Sequence, residues 1–133
     1  MAVREIILVV DDEPSDVDMA RTSLENLGYR VETAGDAHTA LRLYRDLGEP
    51  IALLIADVAM APINGCDLAL QLTALQPDLK VLFISGYTGA EVLRRDGIPG
   101  INAAFLRKPF TANQLARQAR SMVESEQVNP SQK

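Results

Sequence analysis

Two kinds of apolar pattern alternate along the chain. Short unbroken runs occur at Ile6-Ile7-Leu8-Val9-Val10, Leu53-Leu54-Ile55-Ala56, Val81-Leu82-Phe83-Ile84 and Ala103-Ala104-Phe105-Leu106. Each has the length of a strand and none has polar alternation, which predicts strands covered on both faces, as in a parallel sheet. Arg30-Val31-Glu32-Thr33-Ala34 alternates instead and suits an edge strand. Between the runs the apolar residues recur at helical spacing. Val17, Ala20, Leu24 and Leu27 form one stripe, with Gly28 as its stop; Ala37, Ala40, Leu41, Tyr44 and Leu47 form a second, closed by Gly48. Leu68, Ala69, Leu72 and Leu75 form a third, ended by Pro77. Leu115, Ala119, Met122 and Val123 form the last, with Thr111 placed as its N-cap.

The stretch from Gly86 to Asn102 is poorer in pattern. It holds four glycines and Pro99, and only Val92, Leu93 and Ile98 offer an apolar face. It predicts a short fourth helix near Ala90 to Arg95 and a mobile loop after it. Past Glu124 the residues are polar, as in a fraying tail.

Strand and helix therefore alternate five times. This predicts an α/β domain with helices on both faces of a five-stranded parallel sheet joined by right-handed crossovers. The common doubly wound order is 2-1-3-4-5, the flavodoxin-like (βα)5 arrangement. Its ligand site lies at the carboxyl ends of strands 1 and 3.

The bulk numbers narrow the class. At 133 residues the chain suits one domain, and 47% hydrophobic residues suffice for a core. The net charge is −5 with no basic stretch, which argues against direct nucleic-acid binding. The lone Cys66 has no internal disulfide partner, and the first apolar run is too short for a signal core or a membrane span. The expectation is a cytoplasmic protein without membrane contact.

The predicted fold gathers polar residues at one rim. Asp11 and Asp12 follow strand 1, Asp57 follows strand 3, Ser85 ends strand 4 and Lys108 follows strand 5. Singly, each has an ordinary reading. Asp11 and Asp12 suit a helix start, Asp57 and Ser85 suit turns, Lys108 suits solvent, and Lys108-Pro109 suits a cis bond at a change of chain direction. Jointly they point to chemistry. Three crowded carboxylates repel one another, and one lysine does not balance them, so a cation is expected. Ligation by oxygen alone selects a hard ion, Mg²⁺ first and Mn²⁺ second. Such a site suits phosphoryl transfer to a carboxylate. Asp57 is then the nucleophile. Asp12 binds metal directly, Asp11 directly or through water, Lys108 pairs with Asp57 or its phosphoryl group, and Ser85 donates its hydroxyl.

These residues resemble the receiver domains of two-component response regulators. The matching pieces are Val10-Asp11-Asp12-Glu13-Pro14, Ala56-Asp57-Val58-Ala59-Met60, Asn64-Gly65, Ile84-Ser85-Gly86-Tyr87 and Leu106-Arg107-Lys108-Pro109-Phe110. The resemblance places a receiver domain at residues 1–124 and a polar tail at 125–133. It implies phosphorylation of Asp57 by a histidine kinase or histidine phosphotransfer protein. It also implies Mg²⁺ held by Asp11, Asp12, Asp57 and the backbone carbonyl of Ala59. It implies no enzyme activity beyond self-phosphorylation and self-dephosphorylation. Further, it implies a switch in which the Ser85 hydroxyl turns to the phosphoryl group and an aromatic on strand 5 turns inward. Here that aromatic is Phe105, for which ordinary core packing is the competing reading. The responding surface, used for a downstream target protein, is then the fourth helix, the fifth strand and the last helix. The Ile-Ser-Gly-Tyr-Thr and Leu-Arg-Lys-Pro-Phe stretches are most similar to receivers associated with hybrid histidine kinases. Met1, and the lack of an output domain after Glu124, make a stand-alone receiver the expectation.

Some positions depart from the family pattern. Ala61 stands where the family usually has proline, and Pro62 follows it. Tyr87 is bulky, and with Ala59 it is expected to hinder attacking water and to lengthen the life of the phosphorylated form. His38 is expected on the surface, Cys66 as a small packed side chain, and Arg94 and Arg95 on a solvated face. Three rival readings are weaker. A haloacid-dehalogenase-type phosphatase needs two acids one residue apart after strand 1, whereas Asp11 and Asp12 are adjacent. A flavin carrier needs a Ser/Thr/Gly-rich phosphate loop where Asp11-Asp12-Glu13-Pro14 stands. A receiver-like docking module that accepts no phosphate does not need the intact set of acid, hydroxyl and lysine.

Overall fold

Residues 4–60, 62–86 and 102–125 are described in the computed structural model. They form five strands, β1 (Ile6–Val10), β2 (Arg30–Ala34), β3 (Leu53–Asp57), β4 (Lys80–Ser85) and β5 (Asn102–Arg107). The described helices are α1 (Pro14–Glu25), α2 (Ala37–Leu47), α3 (Gly65–Leu75) and the C-terminal α4 (Ala112–Glu124). All strand pairs are parallel, in the order β2-β1-β3-β4-β5. This is the flavodoxin-like order expected from the pattern. The helix expected near Ala90 to Arg95, the loop after it, Ala61, Tyr87, Arg94, Arg95 and residues 126–133 lie outside the described residues.

The unbroken apolar runs are explained by burial on two sides. Ile6, Leu8 and Val10 face a core with Leu54, Ala56, Val81 and Phe83 under α2 and α3. Ile7 and Val9 face the other way, into a second core with Leu53, Ile55, Leu82 and Ile84 under α1 and α4. Each large side chain so buried contributes about 1.5–3 kcal/mol. The central strands β1, β3 and β4 thus need apolar residues at nearly every position.

The run Ala103 to Leu106 departs from the expectation. It belongs to an edge strand, not one covered on both faces: Ala103, Phe105 and Arg107 are exposed, while Ala104 and Leu106 pack against the second core. At the margin of the sheet, β5 has one face on the second core with the C-terminal helix and the other turned outward.

Local signals set the helix ends. Pro14 occupies the first turn of α1, where a missing N–H costs nothing. The N-cap there is Glu13, without a side-chain cap bond, and not either aspartate. Leu27 lies beyond the end of α1 and is exposed, and Gly28 takes φ +97° in the turn that follows. Gly48 caps α2 with φ +67°, a left-handed conformation that glycine adopts freely. Thr111 caps α4 in a reciprocal box: its hydroxyl accepts from the Gln114 N–H at 3.1 Å and its own N–H donates to Gln114 Oε1 at 2.8 Å. Lys80 Nζ caps the other end of α4, donating to the carbonyls of Met122 and Ser125. At the amino end of the sheet, Gln76 ties three segments together. Its Oε1 accepts from Tyr44 Oη at 3.0 Å and from the Ile51 N–H at 3.1 Å, and its Nε2 donates to the Ile51 carbonyl at 2.8 Å.

Candidate functional site

The strand order brings the expected rim residues together. Asp11 follows β1, Asp57 ends β3, Ser85 ends β4 and Lys108 follows β5, and β1, β3, β4 and β5 are successive neighbours. Among the described residues, Asp11, Asp57 and Ser85 are the buried polar ones in an otherwise apolar interior.

Main-chain bonds hold the rim in register. The Asp11 N–H donates to the Ala34 carbonyl at 3.1 Å, and the Val58 N–H to the Ile84 carbonyl at 2.9 Å. The Lys108 N–H donates to the Ser85 carbonyl at 2.8 Å, so the two residues share one main-chain contact. The Lys108–Pro109 bond is cis, as the sequence suggested.

Asp57 is set by the loop after β3. Its Oδ1 accepts from the Ala59 N–H at 3.0 Å and its Oδ2 from Lys108 Nζ at 3.2 Å. Helix α3 closes against this strand end. Asn64 caps the helix by accepting from the Asp67 N–H at 2.8 Å, and the Gly65 N–H donates to the Val58 carbonyl at 3.3 Å. Gly65 is required by proximity: a Cβ there would lie 2.4 Å from the Asp57 carbonyl oxygen and 2.8 Å from its carbon. This gives the Asn64-Gly65 pair a physical meaning that the sequence did not disclose.

Three carboxylates converge. Asp11, Asp12 and Asp57 each present an oxygen within 4.8 Å of the others, with Asp11 and Asp57 buried and Asp12 exposed. Asp11 Oδ1 accepts from the Glu13 N–H at 2.9 Å. Its Oδ2 is buried without a hydrogen bond among the described residues; Lys108 Nζ lies at ion-pair distance, 3.3 Å, but not in hydrogen-bond alignment. Burial pushes the Asp11 carboxyl up to about 6; the Glu13 N–H opposes this, Asp57's charge adds to it and Lys108 reduces it. A buried carboxylate oxygen with no donor, beside two further carboxylates, is the donor set of a hard divalent cation. The residues fit Mg²⁺.

Lys108 serves three acids. Nζ lies 3.3 Å from Asp11 Oδ2, 3.2 Å from Asp57 Oδ2 and 3.0 Å from Asp16 Oδ2. Burial works against its charge, but the hydrogen bond to Asp16 and the charges of Asp11 and Asp57 outweigh this and hold its pKa above the ordinary lysine value. Asp16 was missed in the sequence. The available signal was its place one helical turn after Asp12, but surface acids in a first helical turn are common and need no partner.

The Ser85 hydroxyl is buried and has no hydrogen-bond partner among the described residues. Phe105 stands on the exposed side of β5 at 38% exposure, so it is not a core residue here. Ala59 is exposed at the rim and His38 on the surface, while Cys66 packs against the first core. Among the described residues no helix is long and apolar enough to cross a membrane.

Known proteins carry the same architecture. Residues 7–120 match the family described as response regulator receiver domain. The chain is 32% identical to the response regulator receiver protein CpdR of Brucella abortus (strain 2308), covering 91% of this chain and 98% of that protein. It is 31% identical to the sensor kinase CckA of the same organism, covering 90% of this chain but only 13% of CckA. The response regulator TrrA of Thermotoga maritima, solved in complex with Mg²⁺–BeF, superimposes with a TM-score of 0.73 at 25% identity, over 89% of this chain and 98% of that one. With the sheet order, the acid rim and the family match in agreement, this chain belongs to the response regulator receiver domains of two-component signalling.

Proposed function

We propose that Asp57 accepts a phosphoryl group with Mg²⁺ held by Asp11, Asp12, Asp57 and the Ala59 carbonyl. The observation that carries this reading is the placement of a buried Asp57 between Lys108 and two further carboxylates, next to a buried hydroxyl with no partner among the described residues. As a carboxylate, Asp57 brings its own lone pair and needs no general base. The bond from phosphorus to the donor breaks (P–N in a phosphohistidine, P–O in acetyl phosphate) with its electron pair leaving on the donor, and the new P–O bond forms to Asp57. The Ala59 N–H orients the carboxylate through Oδ1. Lys108 supplies fixed positive charge, and Ser85 supplies an O–H that no other group among the described residues claims. When bound, Mg²⁺ neutralises charge on the phosphoryl oxygens.

The donor in this reading is a histidine kinase or histidine phosphotransfer protein, a pairing supported by similarity to a sensor kinase and a receiver protein. The domain occupies residues 1–124 and acts as a cytoplasmic switch, not as an enzyme on a separate substrate. Ser85 and Phe105 carry the switch. The outward place of Phe105 leaves it free to turn inward, and the face around β5 and the C-terminal helix then meets a target protein.

Mass spectrometry after incubation with acetyl phosphate and Mg²⁺ tests the acceptor. The parent gains one phosphoryl group and Asp57→Asn gains none. Equal labelling of both refutes the assignment.

A further inference from the structure

Lys108 has three N–H donors and three carboxylates around it. Two of these, Asp11 and Asp57, are buried to 2% and 6% side-chain exposure and belong to the acid cluster. The third, Asp16, belongs to neither the cluster nor the acceptor, yet it makes the shortest of the three contacts at 3.0 Å. It stands in the first turn of α1, where its N–H donates to the Glu13 carbonyl at 3.1 Å, so the helix start fixes its position. A new anion at the site must compete with these three carboxylates for the charge of Lys108.

We propose that Asp16 is a positioning residue that latches Lys108 in the resting site and releases it when a phosphoryl group arrives. The proposal rests on the reading of Asp57 as acceptor. Of the three partners, Asp16 is the one that can let go. Its side chain is 29% exposed and rehydrates on release, whereas Asp11 and Asp57 have little access to water. Asp16 therefore competes with the phosphoryl oxygens for one N–H of Lys108. Pairs of this partly exposed kind shift equilibria by at most about fivefold. The latch is thus strong enough to slow phosphorylation and too weak to prevent it.

The test compares Asp57 labelling rates with acetyl phosphate at saturating Mg²⁺ in the full chain. Asp16→Asn removes the charge and is expected to label about two- to fivefold faster than the parent. Asp16→Glu keeps the charge and is expected to stay near the parental rate. Asp18→Asn removes an exposed acid from the same helix, one with no ion pair among the described residues, and is also expected to stay near the parental rate. The Lys108 side-chain NMR signals are expected to shift in Asp16→Asn but not in Asp18→Asn, which separates a contact from a general charge effect. An unchanged or slower rate in Asp16→Asn overturns the latch, as does equal acceleration in Asp18→Asn or Asp16→Glu. If the parent itself takes no label, the acceptor reading falls and the latch falls with it. If the parent labels normally and Asp16→Asn is not faster, only the latch falls.

Discussion

Replacing Gly65 by alanine tests whether the close seat of α3 on the acceptor strand matters. The added Cβ would meet the Asp57 carbonyl oxygen at 2.4 Å, its carbon at 2.8 Å and the Val58 Cα at 3.2 Å. All three are backbone atoms, so no rotamer change relieves the contact. Asp57 cannot retreat, because β3 is paired with β1 and β4 and the Val58 N–H is bonded to Ile84. The helix must move instead, by about 1 Å to restore an ordinary contact, against the packing of Leu68, Ala69 and Leu72. Overpacking of this kind costs about 1–3 kcal/mol. Alanine's better helix propensity returns at most about 1 kcal/mol. The net expectation is a loss of about 1–2 kcal/mol, or roughly 3–8 °C in melting temperature for a domain of this size. The shift also drags the loop that carries the Ala59 N–H, so labelling of Asp57 is expected to fall about tenfold or more. Circular dichroism melts and the acetyl phosphate assay measure both effects. Gly35→Ala is the control, since a Cβ there meets nothing within 4 Å. A Gly65→Ala protein that melts at or above the parent and labels at the parental rate refutes the close-seat argument.

Lys108→Met strips the counter-charge from buried Asp11 and Asp57. It is expected to destabilise the metal-free protein by about 3 kcal/mol, with much of the loss restored by millimolar Mg²⁺ in urea titrations; equal destabilisation with and without Mg²⁺ counts against a shared acid site. Ser85→Ala removes a buried hydroxyl that has no partner among the described residues. Its melting temperature should match or exceed the parent's while labelling slows, and a loss above about 1 kcal/mol contradicts an unpartnered hydroxyl. Asp11 titrates near 6 when folded and 3.8 when unfolded, so between these values the metal-free folded state holds a proton that the unfolded state has lost. This group's contribution to stability therefore declines as pH rises from about 4 to 6 and is level above that. The same proton must leave when Mg²⁺ binds. Calorimetry at pH 5.5 in buffers of different ionisation enthalpy should detect proton release that fades by pH 7.5, and a buffer-independent heat at pH 5.5 would rule it out.

Much of the fold was legible because parallel central strands leave a coarse mark. Leu53 to Ala56 and Val81 to Ile84 are apolar at every position because both sides are covered. Thr111 and Gly48 were readable for a similar reason: each does a local job that depends on its near neighbours. The run Ala103 to Leu106 misled, because apolar composition does not report that one face of this edge strand, with Ala103 and Phe105, is left exposed. The acids at the strand ends were found because the predicted order placed them side by side. Asp16 and the tight fit at Gly65 were not found, since the first depends on a contact with a segment far along the chain and the second on the exact approach of a helix to a strand. Asp16 needs Lys108 to acquire a meaning, and Gly65 needs the Asp57 carbonyl.

Gln76 has a consequence for where this molecule can change shape. Its carboxamide offers Ile51 both a donor and an acceptor, the pair of contacts that another peptide group would offer. With Tyr44 joined to the same oxygen, the floor of the domain is stitched like an extra rung of backbone. A perturbation arriving at the opposite end thus meets a fixed base, and its displacement is channelled sideways across the top instead of being dissipated through the whole body.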